Sequence, residues 1–227
     1  MSSKKQIFAE GYSGKKLFLI FVIGSIFGAL YEQILNLIKV YFATGEIVWS
    51  LRRGVIYGPF SPIYGAGAVL IVYFLVRPNY SKLKTFLYGA LLGGAFEYII
   101  SFLQEVFTHT ISWDYSNYFL NINGRTTIPY MIFWGLLTLI FAKYIYPFIS
   151  KLIEKIPVNL GNIIFYILLI FLIIDMFISW TALIRSAMRR NNIEPITPVG
   201  EFYDKVYPDK VLSKSFPNME FNIRKDK

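Results

Sequence analysis

The stretch LFLIFVIGSIFGALYEQILNLIKVYFA, residues 17–43, decides the fold class because it is apolar for long enough to cross a bilayer. As a helix rising about 1.5 Å per residue, it would exceed a hydrocarbon core that is roughly 30 Å thick. The charged residues within it are Glu32 and Lys39. A charge near the centre of a membrane helix costs at least about 2.5–3.5 kcal/mol, so Glu32 is by default a candidate functional residue.

Composition extends this interpretation to the whole chain. Of the 227 residues, 55% are hydrophobic and 16% are charged, and the mean hydropathy is +0.48. A soluble all-helical core is the alternative, but soluble domains of this length rarely carry so much apolar content. We therefore predict an all-α, polytopic membrane helix bundle that contacts the lipid bilayer.

Several kinds of site and partner are excluded or disfavoured. The chain has no cysteine and one histidine, His109, which excludes disulfides, thiolate metal sites and a multi-histidine metal centre within one subunit. We predict no metal site and no cofactor. The net charge of +9 comes from Lys and Arg residues that lie mostly between apolar segments and in the tail, where topology and anionic lipid place them. We therefore predict no nucleic-acid partner.

Apolar stretches predict five membrane helices within a transmembrane domain over residues 1–186. The N-terminus resembles a signal peptide, but its apolar run is too long and no small-residue cleavage site follows, so we predict a retained first helix. Residues 187–227 form a polar C-terminal tail, expected to be solvent-exposed with too few apolar residues for a core of its own. The predicted helices are Leu17–Ala43, Val55–Val76, Lys84–Phe107, Thr127–Ile149 and Leu160–Arg185.

The distribution of basic residues predicts the orientation. Nine Lys and Arg residues flank the helices on the side of the N-terminus, and six flank them on the other side. The positive-inside rule therefore favours a cytoplasmic N-terminus in the cell membrane, with the C-terminal tail outside.

The first and third helices share a pattern that suggests an internal repeat. Gly-x-x-x-Gly-x-x-x-Glu covers residues 24–32 and 89–97, and each helix precedes a polar loop with Arg and a helix opening with Pro and Tyr. Two such units would form a parallel repeat of the kind that transporters use. Chance is the alternative, because Gly-x-x-x-Gly is common where membrane helices pack. The same glycines could offer a close-packing face for a homo-oligomer.

Three carboxylates, those of Glu32, Glu97 and Asp175, fall near the middle of their predicted helices and hence at similar depth. They would be tolerated if they faced one interior cavity and met hydrogen-bond donors there. Hydrogen bonding that only stabilises helix packing is the alternative. On the third helix, steps of three and four residues predict one small and polar face, made of Gly93, Gly94, Glu97, Ser101, Gln104 and Glu105.

The segment RRGVIYGPFSPIYGAG, residues 52–67, predicts a break in the second helix. Its two prolines and four glycines cannot form an unbroken helix at membrane depth. Backbone groups freed there are tolerated where protein or a water-filled cavity satisfies them. Transporters and channels bind polar solutes in this way, and a membrane enzyme could do so equally well.

The loop WDYSNYFLNINGR, residues 113–125, is predicted to lie on the same side as this segment, Glu105 and Arg185. Arginines near carboxylates can pair bidentately with them or with an anionic ligand. The residues that we predict to bind substrate are Glu32, Arg52, Arg53, Tyr57, Pro59, Tyr64, Glu97, Glu105, Trp113, Asp114, Tyr115, Ser116, Asn121, Asn123 and Arg125.

Two of these motifs resemble a bacterial family labelled putative ABC-transporter type IV, or CmpB-like permeases. Its members share R-G-x-x-Y-G-P-x-x-P-x-Y-G, matched here from Arg53 to Gly65, and W-D-Y-S…N-x-x-G-R, matched from Trp113 to Arg125. The resemblance covers nearly the whole chain. Where many members are expected to carry a Cys after the second motif, this chain has Thr126 and Thr127.

The resemblance implies transport, and three classes of function remain open. The chain lacks a G-x-x-x-x-G-K-[ST] loop, so an ABC transporter would need a separate ATP-binding subunit. The first class is a transporter or permease component with a polar intramembrane site. The second is a membrane-embedded enzyme that acts on a lipid or lipid-linked substrate at the outer face. The third is an accessory or assembly protein whose polar core only fixes helix packing.

Overall fold

Long apolar helices dominate the computed structural model, which describes residues 6–49, 52–217 and 219. Four helices are long and apolar enough to cross a membrane, and they correspond to the predicted first, third, fourth and fifth spans. The predicted all-α, multi-pass membrane bundle is therefore confirmed. These helices are Gly14–Thr44, Lys82–Thr108, Ile128–Glu154 and Val158–Arg190.

The elements follow one another with short connections on the side of the N-terminus and longer ones on the opposite side. A two-residue antiparallel pair, with Asn121 opposite Thr127, closes the loop before the fourth span. In chain order the elements are α1 (Gly14–Thr44), α2 (Pro62–Ile71), a π-helical turn (Val72–Val76), α3 (Lys82–Thr108), β1 (Asn121–Ile122), β2 (Thr126–Thr127), α4 (Ile128–Ile140), a second π-helical turn (Phe141–Ile145), α5 (Tyr146–Glu154), α6 (Val158–Arg190), α7 (Pro198–Val206) and α8 (Asp209–Ser215).

The second span is shorter than predicted. Its helix begins at Pro62 rather than at Val55, and with its π-helical turn it reaches only about 22 Å. Pro59 and Pro62 lack a backbone N–H, and Gly58 has a φ of 70°, so residues 55–61 cannot continue a right-handed helix. The break that the sequence predicts is confirmed. Side chains of α6 accept hydrogen bonds from two backbone N–H groups that the break leaves without helical partners.

Two side chains of α6 hold this irregular segment in place. The Tyr57 N–H donates to Asp175 Oδ1 at 3.1 Å, and the Ile56 N–H donates to Ser179 Oγ at 2.8 Å. Both acceptors are almost fully buried. Asp175 therefore satisfies backbone groups that the broken helix leaves free, which fits the packing alternative for this carboxylate.

Glycines set the packing of two helical hairpins. In the first hairpin, Gly24 of α1 lies against Ala68 of α2, and Gly28 lies against the ring of Tyr64. In the second, Gly89 and Gly93 of α3 lie against Thr138 and Trp134 of α4. Each hairpin is antiparallel, and since residues 77–81 join them by a short turn, α1 and α3 run in the same direction. The glycine faces are thus occupied within the chain and are not free for a homodimer.

The ends of the helices nearest the N-terminus meet around a buried lysine. Lys16 is fully buried, and its ammonium contacts Glu154 at 2.7 Å and the Ser150 hydroxyl at 2.6 Å. Next to them, a cavity of about 560 Å³ lies between the two π-helical turns and is lined by Lys143 and Glu154 among others. This end of the bundle is therefore polar inside as well as at its surface.

The chain beyond α6 differs from the expectation of a tail exposed throughout. α7 and α8 pack on α6 and on residue 56, so that Tyr203, Tyr207, Leu212 and Phe216 are buried. Ion pairs hold them there: Arg185 and Arg189 both contact Asp204, at 2.7 and 2.6 Å. The segment packs against α6 and residue 56. The predicted division of the chain into a membrane domain and a separate unit over residues 187–227 stays a prediction. Residues 218 and 220–227 lie outside the described part.

The hairpin packing predicts the effect of Gly28→Ala. An added Cβ would lie 2.2 Å from the Tyr64 ring, so we expect overpacking to lower the free energy of unfolding by about 1–3 kcal/mol. The measurement is thermal unfolding of the purified protein in detergent. Gly14→Ala is the matched control, because nothing lies within 4 Å of its added Cβ. Equal stabilities of the two variants would contradict the proposed role of Gly28.

The ion pairs predict how the docking of α7 and α8 depends on pH. The Arg185 guanidinium, helped by Arg189, holds the pKa of Asp204 at about 2. Because the pKa is lower in the docked state, its carboxylate stabilises docking above the unfolded pKa of about 3.9, and this contribution is lost as the pH falls towards 2. We expect docking to persist from neutral pH to about pH 4 and to weaken below it.

A spin-label distance between Phe42→Cys and Lys210→Cys measures this docking, and the native chain has no cysteine to interfere. Asp204→Asn should loosen α7 and α8 at neutral pH, whereas Glu201→Gln, at an exposed position of α7, should not. Undocking near pH 6, or equal distances in both variants, would show that these ion pairs do not hold the helices.

Candidate functional site

Glu32 lies two turns after Gly24 on α1, where the close approach of α2 brings an aromatic hydroxyl to it. The Tyr64 ring rests on Gly28, and its hydroxyl faces the Glu32 carboxylate. Arg52 lies close enough to interact with the same carboxylate electrostatically. The half-buried Glu32 carboxylate thus has one neutral donor, the Tyr64 hydroxyl, and one nearby cation, Arg52.

Glu97 occupies the same place on α3, and its donors come from the loop that follows. The Tyr115 hydroxyl donates to Oε1 at 3.0 Å, and the Thr126 hydroxyl donates to Oε2 at 2.7 Å. The Trp134 indole also faces this carboxyl, with its buried Nε1 outside standard hydrogen-bond geometry. Glu97 is 8% exposed, so these hydroxyls replace the water that it has lost.

The two carboxylates face equivalent positions of the two hairpins. In the first hairpin, Ala68 faces Gly24 and Tyr64 lies four residues earlier. In the second, Thr138 faces Gly89 and Trp134 lies four residues earlier. Likewise, Gly65 lies against Phe21 and Gly135 lies against Phe86. A chance resemblance of the two Gly-x-x-x-Gly patterns would not reproduce these partners, so the contacts support the predicted repeat.

An arginine from each polar loop reaches back to the first helix of its hairpin. Arg52 donates to the Asn36 side chain, and Arg125 donates to the Ser101 hydroxyl at 3.3 Å. Asn36 and Ser101 each lie one turn after their respective glutamate. Both guanidinium groups therefore lie at the same end of the bundle, the end that carries α7 and α8.

Arg125 is held more firmly than Arg52. Its guanidinium pairs with Glu105 at 2.6 Å and lies over the rings of Tyr98 and Phe102, at 5.8 and 5.4 Å from their centroids. Among the residues predicted to bind substrate, Glu105 therefore neutralises an arginine rather than facing open space.

Tyrosines connect the two half-sites. Tyr115 stacks on Tyr130, with ring centroids 4.8 Å apart, and lies close enough to Tyr64 for an electrostatic interaction. Tyr31, next to Glu32, interacts in the same way with Tyr64 and Tyr130. Burial and the Glu97 carboxylate raise the pKa of the Tyr115 hydroxyl, which keeps it a donor. We call Glu32, Tyr64, Glu97, Tyr115 and Thr126 the carboxylate cluster.

Five predicted site residues have contacts that shape the loop itself. The Trp113 indole donates to the Arg125 carbonyl, Asp114 accepts from the Ser116 N–H and hydroxyl, and Asn121 bonds to backbone groups of the same loop. Asn123 donates to the Tyr98 hydroxyl at 2.9 Å. They order the loop that brings Tyr115 and Thr126 to Glu97, and a direct role in binding stays a prediction for them.

The remaining predicted residues, Arg53, Tyr57 and Pro59, lie apart from the carboxylate cluster. Arg53 turns away from its neighbour Arg52 and faces α8, where it lies 3.4 Å from the Ser215 hydroxyl. The Tyr57 hydroxyl is 3.0 Å from that of Tyr207. The side chains of residues 52–64 therefore face two different sites, the carboxylate cluster and the surface of α7 and α8. The sequence alone does not reveal this division.

Sequence reasoning missed two residues of the site, Thr126 and Trp134. Trp134 could have been found by carrying the repeat into the second helix of each hairpin, because it is the counterpart of Tyr64. No pattern singles out Thr126, whose contact with Glu97 depends on the fold of the loop. In the described part of the chain no three His, Asp or Glu side chains come together as a possible metal site.

Comparison with known proteins agrees with the resemblance found in the sequence. The model of the family described as "Putative ABC-transporter type IV" matches residues 19–180, which include both hairpins and most of α6. No curated protein and no solved structure matches the chain. Because the match covers well over half of the 227 residues, the chain belongs to the "Putative ABC-transporter type IV" family.

Proposed function

We propose that this protein is the membrane-spanning permease component of an ABC-type transporter, and that the carboxylate cluster is its polar substrate site. The observation that carries the proposal is the pair of equivalent half-sites around Glu32 and Glu97. Parallel repeats that meet at a site near mid-membrane are a recurring design of transporters. The family assignment supports the same function.

The chemistry of the cluster suits a polar solute with hydrogen-bond donors or a positive charge. Two carboxylates offer acceptor oxygens, and tyrosine and threonine hydroxyls can either donate or accept. Tyrosine rings beside them can face a cation or an apolar part of the solute. Arg52 and Arg125 stand one turn further out, at Asn36 and Ser101.

A transporter needs polar surfaces towards both sides of the membrane, and the opposite end of the bundle offers one. The cavity between the π-helical turns, with Lys143, Ser150 and Glu154 in its lining, lies at the end nearest the N-terminus. We place this end in the cytoplasm of a cell-membrane protein, on the basis of the Lys and Arg distribution, and the C-terminal helices outside. A separate ATP-binding subunit would dock at the cytoplasmic loops, and a homo-oligomer would use surfaces other than the glycine faces.

The dependence on a separate ATPase can be tested by isolating the protein from its own membranes. A tagged full-length chain, expressed at its native level and cross-linked before extraction, should retain an ATP-binding protein, because the sequence itself has no phosphate-binding loop. Mass spectrometry identifies what is retained. If no nucleotide-binding protein is retained and the purified chain turns over a lipid substrate alone, the membrane-enzyme alternative replaces the transporter.

The role of the carboxylates can be tested by Glu32→Gln and Glu97→Gln. Glutamine keeps the size and one acceptor oxygen but removes the charge, so we expect folding to persist and uptake to fall at least about tenfold, as expected for the loss of a charged contact. Solutes whose accumulation differs between cells with and without the gene supply the uptake assay.

Glu46→Gln is the matched control, since Glu46 is exposed beyond the end of α1. Thermal unfolding of each variant separates loss of uptake from loss of fold. Full uptake by both cluster variants, at normal expression, would mean that the carboxylates only hold the helices together.

A further inference from the structure

A cavity of about 440 Å³ lies between the irregular segment before α2 and the two C-terminal helices. The carboxylate cluster does not contribute to its described lining, so it is a separate place in the molecule. Both walls come from segments with special features: one is the break in the second span, and the other is the part of the chain after the membrane helices. The described lining residues are Arg53, Ile56, Tyr57, Gly58, Val206, Tyr207, Val211, Lys214 and Ser215.

The charged side chains among the described residues that line this cavity are of one sign. Arg53 and Lys214 are cations, and no Asp or Glu is found among the described residues that line it. Asp175 lies near enough to interact electrostatically with Arg53, but its Oδ1 accepts from the Tyr57 N–H and the Ser179 hydroxyl. Within the described chain it forms no ion pair with Arg53, and its buried Oδ2 has no hydrogen-bond partner there.

Arg53 is incompletely satisfied. Its contacts with the Gly58 carbonyl and the Ser215 hydroxyl are both long, at 3.4 Å, and its buried Nε has no partner in the described structure. Buried guanidinium donors are normally paired, so an unpaired one at a cavity wall points to a missing acceptor.

Three hydroxyls complete the set of donors. Those of Tyr57 and Tyr207 lie 3.0 Å apart at the cavity, and Ser215 adds the third. Burial and the Tyr57 hydroxyl raise the pKa of Tyr207 to about 12, so its proton remains available at neutral pH. Ile56, Val206 and Val211 make the rest of the wall apolar.

We propose that this cavity binds a phosphate group, with Arg53 and Lys214 as its cationic partners. The planar fork of Arg pairs with two phosphate oxygens, Lys supplies a point charge, and the hydroxyls can donate to the remaining oxygens. The group is carried either by a phospholipid, whose chains the apolar wall would accept, or by a soluble phosphate compound. The site is independent of the proposed transport function and needs no ATP-binding subunit.

The cavity does not depend on a ligand for its shape. Arg185 and Arg189 fix Asp204, while Ser186 and Arg189 each contact Asp209 at 2.7 Å. These contacts attach α7 and the start of α8 to α6 at some distance from Arg53. A phosphate group would thus enter a preformed site, which limits the entropic cost of binding.

Binding can be measured by isothermal titration of the full-length protein in detergent with dihexanoyl phosphatidic acid and with inorganic phosphate. We expect saturable binding of at least one probe. Arg53→Gln should weaken it about tenfold or more, and Lys214→Gln should weaken it less, because Lys214 is exposed. Preference for phosphatidic acid identifies a lipid head group, and equal binding of inorganic phosphate identifies a soluble phosphate compound.

Lys210→Gln is the control, because Lys210 is on α8 but does not line the cavity. If it weakens binding as much as Lys214→Gln does, the effect is one of general surface charge and the proposal is overturned. The proposal also fails if neither probe binds, or if both cavity variants bind as the native protein does. Thermal unfolding without ligand verifies that each variant is folded.

Discussion

The need to supply hydrogen-bond donors to carboxylates inside an apolar bundle governs the structure of this protein. Neither Glu32 nor Glu97 can rely on water at its depth, so each must be met by a hydroxyl from a neighbouring segment. Tyr64 reaches Glu32 only because Gly28 has no side chain, and Tyr115 reaches Glu97 only because the loop after α3 folds back. Close helix packing and an ordered polar loop are therefore two solutions to one electrostatic problem.

The broken second span shows the same constraint acting on the backbone. Residues 55–61 leave amide groups without helical partners, and Asp175 and Ser179 of α6 accept hydrogen bonds from two of them. Three intramembrane acids thus have two kinds of role. Glu32 and Glu97 meet side chains in equivalent half-sites, whereas Asp175 secures a stretch of irregular chain.

The sequence was sufficient to predict the four long membrane helices, because a long apolar run has few alternatives in water or lipid, but it overestimated the length of the second predicted helix. It also predicted the break before Pro62 and the pairing of Glu32 with Glu97 as repeat positions. It did not predict that Arg52 and Arg53 face different sites, because the direction of a side chain in an irregular segment depends on distant partners such as Asn36 and Ser215. For the same reason, α7 and α8 were not foreseen: their apolar residues are too few to form a core but enough to extend that of α6.

The π-helical turns have a consequence for the history and the mechanics of the bundle. Each occurs in the second helix of its hairpin, a few residues after the contact with the first glycine of the pattern, at Val72–Val76 and Phe141–Ile145. A π-helical turn inserts about one additional residue into an α-helix. This residue rotates the rest of the helix by about 100° about the helix axis. Both hairpins carry the insertion at nearly the same place, which fits the duplication of one hairpin. The part of each second helix before the turn packs on its own hairpin, whereas the two turns contact each other and so join the repeats.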